Sequence, residues 1–291
     1  MTRFFSQLKS VFSPQNLPSF LIIGAQKAGT TTLYDILNSH PSFCGSLDKE
    51  SAFFTNDVYY EQGKAWYSKQ FELCGRNTLK FEATPFYLYH PDTPKRIFEF
   101  NPDMKFIVVL REPSSRCYSA WNMFRRFNAT SPNEIFDQFV KHSNPEIREA
   151  TRSLLFTKNY PSFKQAVEDD LDRYLSKSQE IEPAFVRRGI YVEQVLNYLQ
   201  FFSIKNFLFL EQRELNSYIP LFKKLGDFFQ MRLNVDLPIN PQLSNPGEYL
   251  NENAEAQETL SFLKEFYKPH NDKLFAQIGI QYDWNEPGAL R

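Results

Sequence analysis

The sequence predicts an α/β fold, a three-layer sandwich around a central parallel sheet. Three observations lead there. Short apolar runs at 20–23, 106–110 and 207–210 read as strands buried on both faces. Segments with apolar residues spaced for one helical face stand between them. The turns leaving the first two runs carry the glycine, proline and hydroxyl residues that open helices.

In order, the run Phe20-Leu21-Ile22-Ile23 ends at Gly24, and residues 31–38 follow as a helix with Leu33, Ile36 and Leu37 on one side. Residues 79–82 form a strand candidate, and 92–100 a helix with Asp92 as N-cap and Ile97 inward. After the strand at 106–110, Pro113 falls near the first helical position, where its missing N–H costs nothing. Cys117, Ala120, Trp121 and Phe124 then form a core stripe at i, i+3, i+4 and i+7. The stretch 127–182 is polar and holds several prolines and the acidic cluster Glu168, Asp169, Asp170 and Asp172. It reads as a mostly helical insert, either a flap facing substrate or a solvated helical face. The pattern resumes with a helix over 191–202, a strand over 207–210 and a helix over 221–229. A last helical pair spans 255–278, broken at Pro269. With no internal repeat or linker, residues 1–291 are expected to form a single domain carrying the insert at about 127–186.

Composition narrows the function. Thirty-three basic residues against 34 acidic ones give a charge of −1, so no nucleic-acid partner is expected. No apolar run approaches membrane-spanning length, and the first twenty residues lack the block and cleavage site of a secretory signal. Cys44, Cys74 and Cys117 are odd in number, widely spaced and outside any metal-ligand pattern. Free thiols in a reducing compartment, hence a cytoplasmic protein without a metal site, is the expectation.

The most informative segment is Gly24-Ala25-Gln26-Lys27-Ala28-Gly29-Thr30-Thr31-Thr32, which leaves a strand and opens a helix. Glycines allow a tight turn, inward N–H groups and the helix N-terminus attract an anion, and three threonine hydroxyls add donors. The alternative is an ordinary strand–helix turn. The two glycines have the spacing of G-x-x-x-x-G-K-[ST], but Thr30 stands where that motif has lysine, and the lysine sits inside the loop at position 27. The strand at 106–110 ends in Arg111 rather than in a metal-holding Asp, which points to a metal-free anion site. Glu211, after the strand at 207–210, is the remaining candidate for such an acid. Arg111 leaves the carboxyl end of its strand, where open α/β sheets bind ligands, and Ser119 lies two turns into the next helix. Together they suit one phosphate; a structural salt bridge is the alternative for Arg111. Between Arg111 and Arg126 four arginines and one glutamate give a local charge of +3, although Arg125 and Arg126 also suit a solvated helix end.

These residues resemble a family. The segments GAQKAGTTTLY, KESAFF at 49–54, FEATPFYLYHP at 81–91 and LREPSSRCYSAW at 110–121 resemble sulfotransferases that use 3′-phosphoadenosine 5′-phosphosulfate (PAPS), in their bacterial and heparan-sulfate-type branch. The likeness continues in RRGIYVEQVLNYL at 187–199 and LKEFYKPHNDKLFAQIG at 263–279. It implies the nucleotide-kinase-like sulfotransferase fold, with PAPS as donor and adenosine 3′,5′-bisphosphate (PAP) as product. It assigns Gln26, Lys27, Ala28, Gly29, Thr30, Thr31 and Thr32 to the 5′-phosphosulfate, Arg111 and Ser119 to the 3′-phosphate, and Tyr191 to the neighbourhood of the cofactor. Lys27 and Glu50 become the catalytic candidates, Glu50 as base, with Lys49 near the substrate or phosphosulfate. Ala83 departs from the lysine often found after the glutamate of FEATP, and Asn245-Pro246-Gly247-Glu248-Tyr249 stands where an adenosine-covering loop is expected.

From the residues alone, Glu82 at a strand end is the alternative base. His40 and His90, each before a proline, read as structural, and neither His142 nor His270 has a carboxylate pattern that favours it as base. Tyr87, Tyr89 and Trp121 are candidates for stacking on a sugar ring or for core packing. The resemblance implies a hydroxyl or amine acceptor on a small molecule, carbohydrate or glycolipid. The competing readings are a P-loop nucleotide or small-molecule kinase and a non-catalytic nucleotide-binding module.

Overall fold

The computed structural model describes residues 16–134, 136, 145–235 and 253–284. His142 and the 245–249 segment lie outside the described residues. Five parallel strands run in the order β2-β3-β1-β4-β5: β1 (Phe20–Gly24), β2 (Phe43–Gly45), β3 (Leu79–Ala83), β4 (Lys105–Leu110) and β5 (Phe207–Glu211). The chain leaves β1 toward β3 and β2 on one side and returns to β4 on the other. The crevice at the carboxyl ends of β1 and β4 is therefore the topological switch point, where open sheets bind ligands.

Strand β1, and β4 after its first residue Lys105, are apolar and buried because helices cover both faces. Phe20 pairs in register with Lys105 and Leu21 with Phe106, so Phe20 and Phe106 face opposite ways. Phe20 packs on Phe229 at the end of α9 (Tyr218–Phe229) and stacks on Phe81, on the face also covered by α1 (Thr30–Asn38) through the Tyr34–Phe81 ring contact. Phe106 packs on Tyr198 of α8 (Tyr191–Leu199). On that face α4 (Thr93–Phe100) and α8 pack together, and α10 (Ala254–Ile278) packs against both α5 (Pro113–Thr130) and α8. One hydrophobic cluster runs through all three layers from Phe20 to Trp284.

Several expectations are corrected. The last helical pair is one 25-residue helix, α10, with Pro269 inside it. The proline removes one backbone hydrogen bond. The helix continues because Leu263, Tyr267, Asn271, Leu274 and Phe275 on both sides of the break are buried. Cys44 and Cys74 are not free: they form a disulfide between β2 and the turn after α3 (Gly63–Lys69), which follows the short α2 (Asp57–Glu61). Cys117 is free and buried, and burial pushes its thiol up to about 12. The reducing-compartment argument for a cytoplasmic protein loses its support with that bridge. Within the insert, α6 (Pro145–Leu155) and α7 (Phe163–Leu175) are helical as expected, the latter opened by a Ser162/Gln165 capping box. Asp170 leaves the solvated acidic face. It is 1% exposed and accepts from the Val186 and Arg187 backbone N–H groups and from Arg187 Nε at 2.6 Å.

Among the described residues, no helix is long and apolar enough to cross a membrane.

Candidate active site

The loop after β1 is built from backbone requirements. Ala25 N–H donates to the Val109 carbonyl at 2.7 Å, tying the turn to β4. Lys27 (φ 66°) and Gly29 (φ 97°) both adopt left-handed backbone conformations. A Cβ at Gly29 would meet Leu215 Cδ1 at 2.9 Å, so the position excludes a side chain on two grounds. Gly29 is the N-cap of α1, with no side-chain cap and no acidic residue in the first turn. The first N–H groups of α1 are thus left without a capping side chain, and no acidic side chain of the first turn competes for the positive end of the helix. That is what a phosphate or phosphosulfate requires, and Thr31 and Thr32 stand half-buried beside it.

Arg111 follows β4, and its Nη1 donates to the Lys27 carbonyl at 3.3 Å. The two anion sites expected from sequence therefore share one crevice. Tyr191 reaches the same place from behind: it is 1% exposed, and its hydroxyl donates to the Arg111 carbonyl at 2.9 Å. Burial pushes that hydroxyl's pKa up, so it remains a neutral donor. Tyr191 thus supports Arg111 by holding its backbone.

Glu112 caps α5, its carboxylate accepting from Ser114 N–H at 2.9 Å and Ser115 N–H at 2.7 Å. This cap fixes the helix that carries Ser119, which is 4% exposed. The other arginines of the basic stretch turn elsewhere. Arg116 is fully buried and donates to the Phe185 carbonyl, while Arg125 lies over Trp121 and Arg126 over Phe127.

Lys49 joins the loop to the candidate base. Its Nζ donates to Thr31 Oγ1 at 2.7 Å and meets Glu50 Oε1 at 3.0 Å, while Glu50 stays open to solvent. Glu82, the alternative base, is placed differently. It is 0% exposed and accepts from Tyr67, from Thr84 Oγ1 at 2.5 Å and from Tyr87 at 2.8 Å. Burial raises its pKa, and the surrounding hydroxyls of Thr84, Tyr67, Ser51 and Tyr87 oppose that rise. A carboxylate closed off from solvent and ringed by hydroxyls anchors the β3 turn; it does not meet an acceptor. Tyr87 and Trp121 belong to the core.

Sequence reading missed Glu112 as a cap and Gln70 as a partner of Leu47 and Asp48, the residues just before Lys49. Glu112 had a signal, lying directly before Pro113 at the helix start. Gln70 had none, because a contact across 22 residues leaves no local pattern.

The fold and this crevice have the form of an α/β protein of the P-loop-like type, with arginine rather than a metal-holding acid following β4. Glu211, the remaining candidate for such an acid, sits at the end of β5 and accepts from Trp284 Nε1 at 3.1 Å. A family model for the sulfotransferase domain matches residues 17–228, and the chain belongs to that family. Heparan sulfate glucosamine 3-O-sulfotransferase 5 of Mus musculus is 27% identical over 278 residues, covering 93% of this chain and 75% of that protein. Membrane-associated sulfotransferase kil1 of Dictyostelium discoideum is 24% identical over 320 residues, covering 92% of this chain and 66% of that protein. A solved sulfotransferase structure from Alicyclobacillus acidocaldarius superposes with a TM-score of 0.65 at 21% identity, covering 92% of this chain and 99% of that one. The chain is a sulfotransferase, and the kinase reading finds no support in these relatives.

Proposed function

We propose that this sulfotransferase uses PAPS as donor and moves its sulfuryl group to a hydroxyl or amine of a carbohydrate acceptor, releasing PAP. The contact between Arg111 and the Lys27 carbonyl carries the reading, because it brings a strand-end guanidinium to the rim of the loop. The residues fit the donor. The uncapped first turn of α1 and the Lys27–Thr32 backbone suit the 5′-phosphosulfate, and Arg111 with Ser119 suits the 3′-phosphate. Bound PAPS supplies an activated sulfuryl group whose departure leaves negative charge on a phosphate oxygen. The Lys27 ammonium and the N–H groups of the loop stabilise that charge; one preorganised donor of this kind contributes about 3 kcal/mol. Glu50 takes the acceptor's proton, a contribution of about 10²–10⁴-fold. Lys49 holds Glu50 beside Thr31, so base and phosphosulfate loop keep one spacing. The heparan sulfate relatives support a sugar acceptor.

Calorimetry with PAP against ATP–Mg²⁺ tests the donor site, and transfer of ³⁵S from labelled PAPS to a panel of glucosamine- and uronate-containing oligosaccharides tests the acceptor. Micromolar PAP binding and a labelled sugar are expected. Tight ATP–Mg²⁺ binding with indifference to PAP would overturn the reading.

A further inference from the structure

We propose that Gln70 is a positioning residue for the Lys49–Glu50 pair, an inference that rests on the proposed role of that pair. Gln70 directly follows α3 and is 8% exposed, so its amide is buried against the segment that precedes the pair. Three hydrogen bonds join it to two consecutive residues there. The Gln70 carbonyl accepts from Leu47 N–H at 2.8 Å, its Oε1 accepts from Asp48 N–H at 3.0 Å, and its Nε2 donates to Asp48 Oδ2 at 3.0 Å. Both ends of the primary amide are used, so the clasp fixes the direction of the chain as well as its position. Asp48 is one peptide bond from Lys49. The segment lies at the surface: Leu47, Asp48 and Glu50 are exposed and Lys49 is half-buried, with the Lys49 ammonium as the ion-pair partner of Glu50.

Two further ties hold the frame. Ser46 N–H donates to the Phe81 carbonyl at 2.8 Å, and Tyr34 donates to the Ser46 carbonyl at 2.7 Å, which sets this segment against β3 and α1. The Cys44–Cys74 disulfide closes the chain on either side of the clasp, two residues before Ser46 and four after Gln70. The clasp therefore acts on a segment whose ends are already fixed. Its distinct contribution is the orientation of residues 48–50 relative to Thr31. Since a displacement of about 1 Å at reacting groups costs on the order of 10²-fold in rate, a side chain that never meets substrate can control turnover in this way.

The test uses the full chain with ³⁵S-labelled PAPS, counting sulfate released to water beside transfer to a glucosamine–uronate hexasaccharide. Gln70→Ala, Gln70→Glu and Glu50→Gln are run in parallel. Gln70→Ala is expected to lower kcat for sulfate release about tenfold to hundredfold while the Kd for PAP stays within about threefold. In the unliganded protein, amide exchange over residues 46–50 should quicken while residues 25–32 stay unchanged. Gln70→Glu places a second carboxylate against Asp48 and loses the Nε2 donor; protonation of either acid restores a donor. Its kcat relative to wild type should therefore rise as pH falls. A Gln70→Ala protein with kcat within about twofold of wild type, or one whose PAP affinity falls in step with kcat, would overturn the positioning role, as would a pH-independent Gln70→Glu ratio. Full turnover in Glu50→Gln would instead remove the pair's catalytic role, and with it the group that Gln70 positions.

Discussion

Replacing Arg111 with alanine should weaken PAP binding while leaving adenosine 5′-monophosphate binding almost unchanged. Arg111 is half-buried at the end of β4, its carbonyl held by Tyr191 and its Nη1 resting on the Lys27 carbonyl. The guanidinium is thus preorganised by the protein and loses little freedom when a phosphate arrives. Hydrogen bonds to a charged partner contribute about 1.5–3 kcal/mol each. A bidentate pair, allowing for the lost contact to Lys27, comes to about 3–4 kcal/mol, or roughly 10²–10³ in Kd. Adenosine 5′-monophosphate lacks the 3′-phosphate and should lose less than about threefold. Isothermal titration of both nucleotides into both proteins measures the four constants. The difference between the two ligands isolates the 3′-phosphate from general damage to the crevice. Equal weakening for both nucleotides, or none for PAP, would refute the assignment of Arg111.

Lys27→Ala should lower kcat by about 10²-fold, the loss of one preorganised donor, with a smaller change in PAP affinity; single-turnover transfer from labelled PAPS reads it, and an unchanged rate in folded protein would remove the lysine from the chemistry. Glu82 should make stability depend on pH. Burial raises its folded pKa, so as pH climbs past the unfolded value and through the folded one, the native state keeps its proton longer and loses stability relative to the unfolded chain. Urea unfolding from about pH 4 to about pH 7 should show this decline in wild type and not in Glu82→Gln; parallel curves would contradict it. The Cys44→Ser/Cys74→Ser double variant should lose about 3.6 kcal/mol, as expected for a bridge with a sequence separation of 30. Equal urea midpoints and slopes would mean that the bridge does not stabilise the fold.

What the sequence made legible was what lies close together along the chain. The β1 run, its glycine loop, the run at β4 and the arginine after it each show within ten residues, because strand burial, helix opening and anion binding act locally. β2 was missed because a three-residue edge strand is too short for a pattern. The Cys44–Cys74 pairing was misread because spacing alone does not bring two thiols together; the parallel β2–β3 ladder and the turn after α3 do. Glu82 shows the same limit within the site. A strand-end acid reads as reactive until Tyr67, folded back from α3, and Tyr87 are seen to enclose it. Tyr191 matched a family position in sequence, but its task of holding the Arg111 backbone spans 80 residues and needed the fold.

A crystal structure with PAP, grown in the presence of a chelator, probes the joint anion site most directly. The 5′-phosphate should lie on the backbone of Lys27 to Thr32 at the start of α1, and the 3′-phosphate within hydrogen-bond reach of Arg111 and Ser119. A nucleotide bound with either phosphate away from these groups, or one that binds only when a divalent cation is restored, would contradict it.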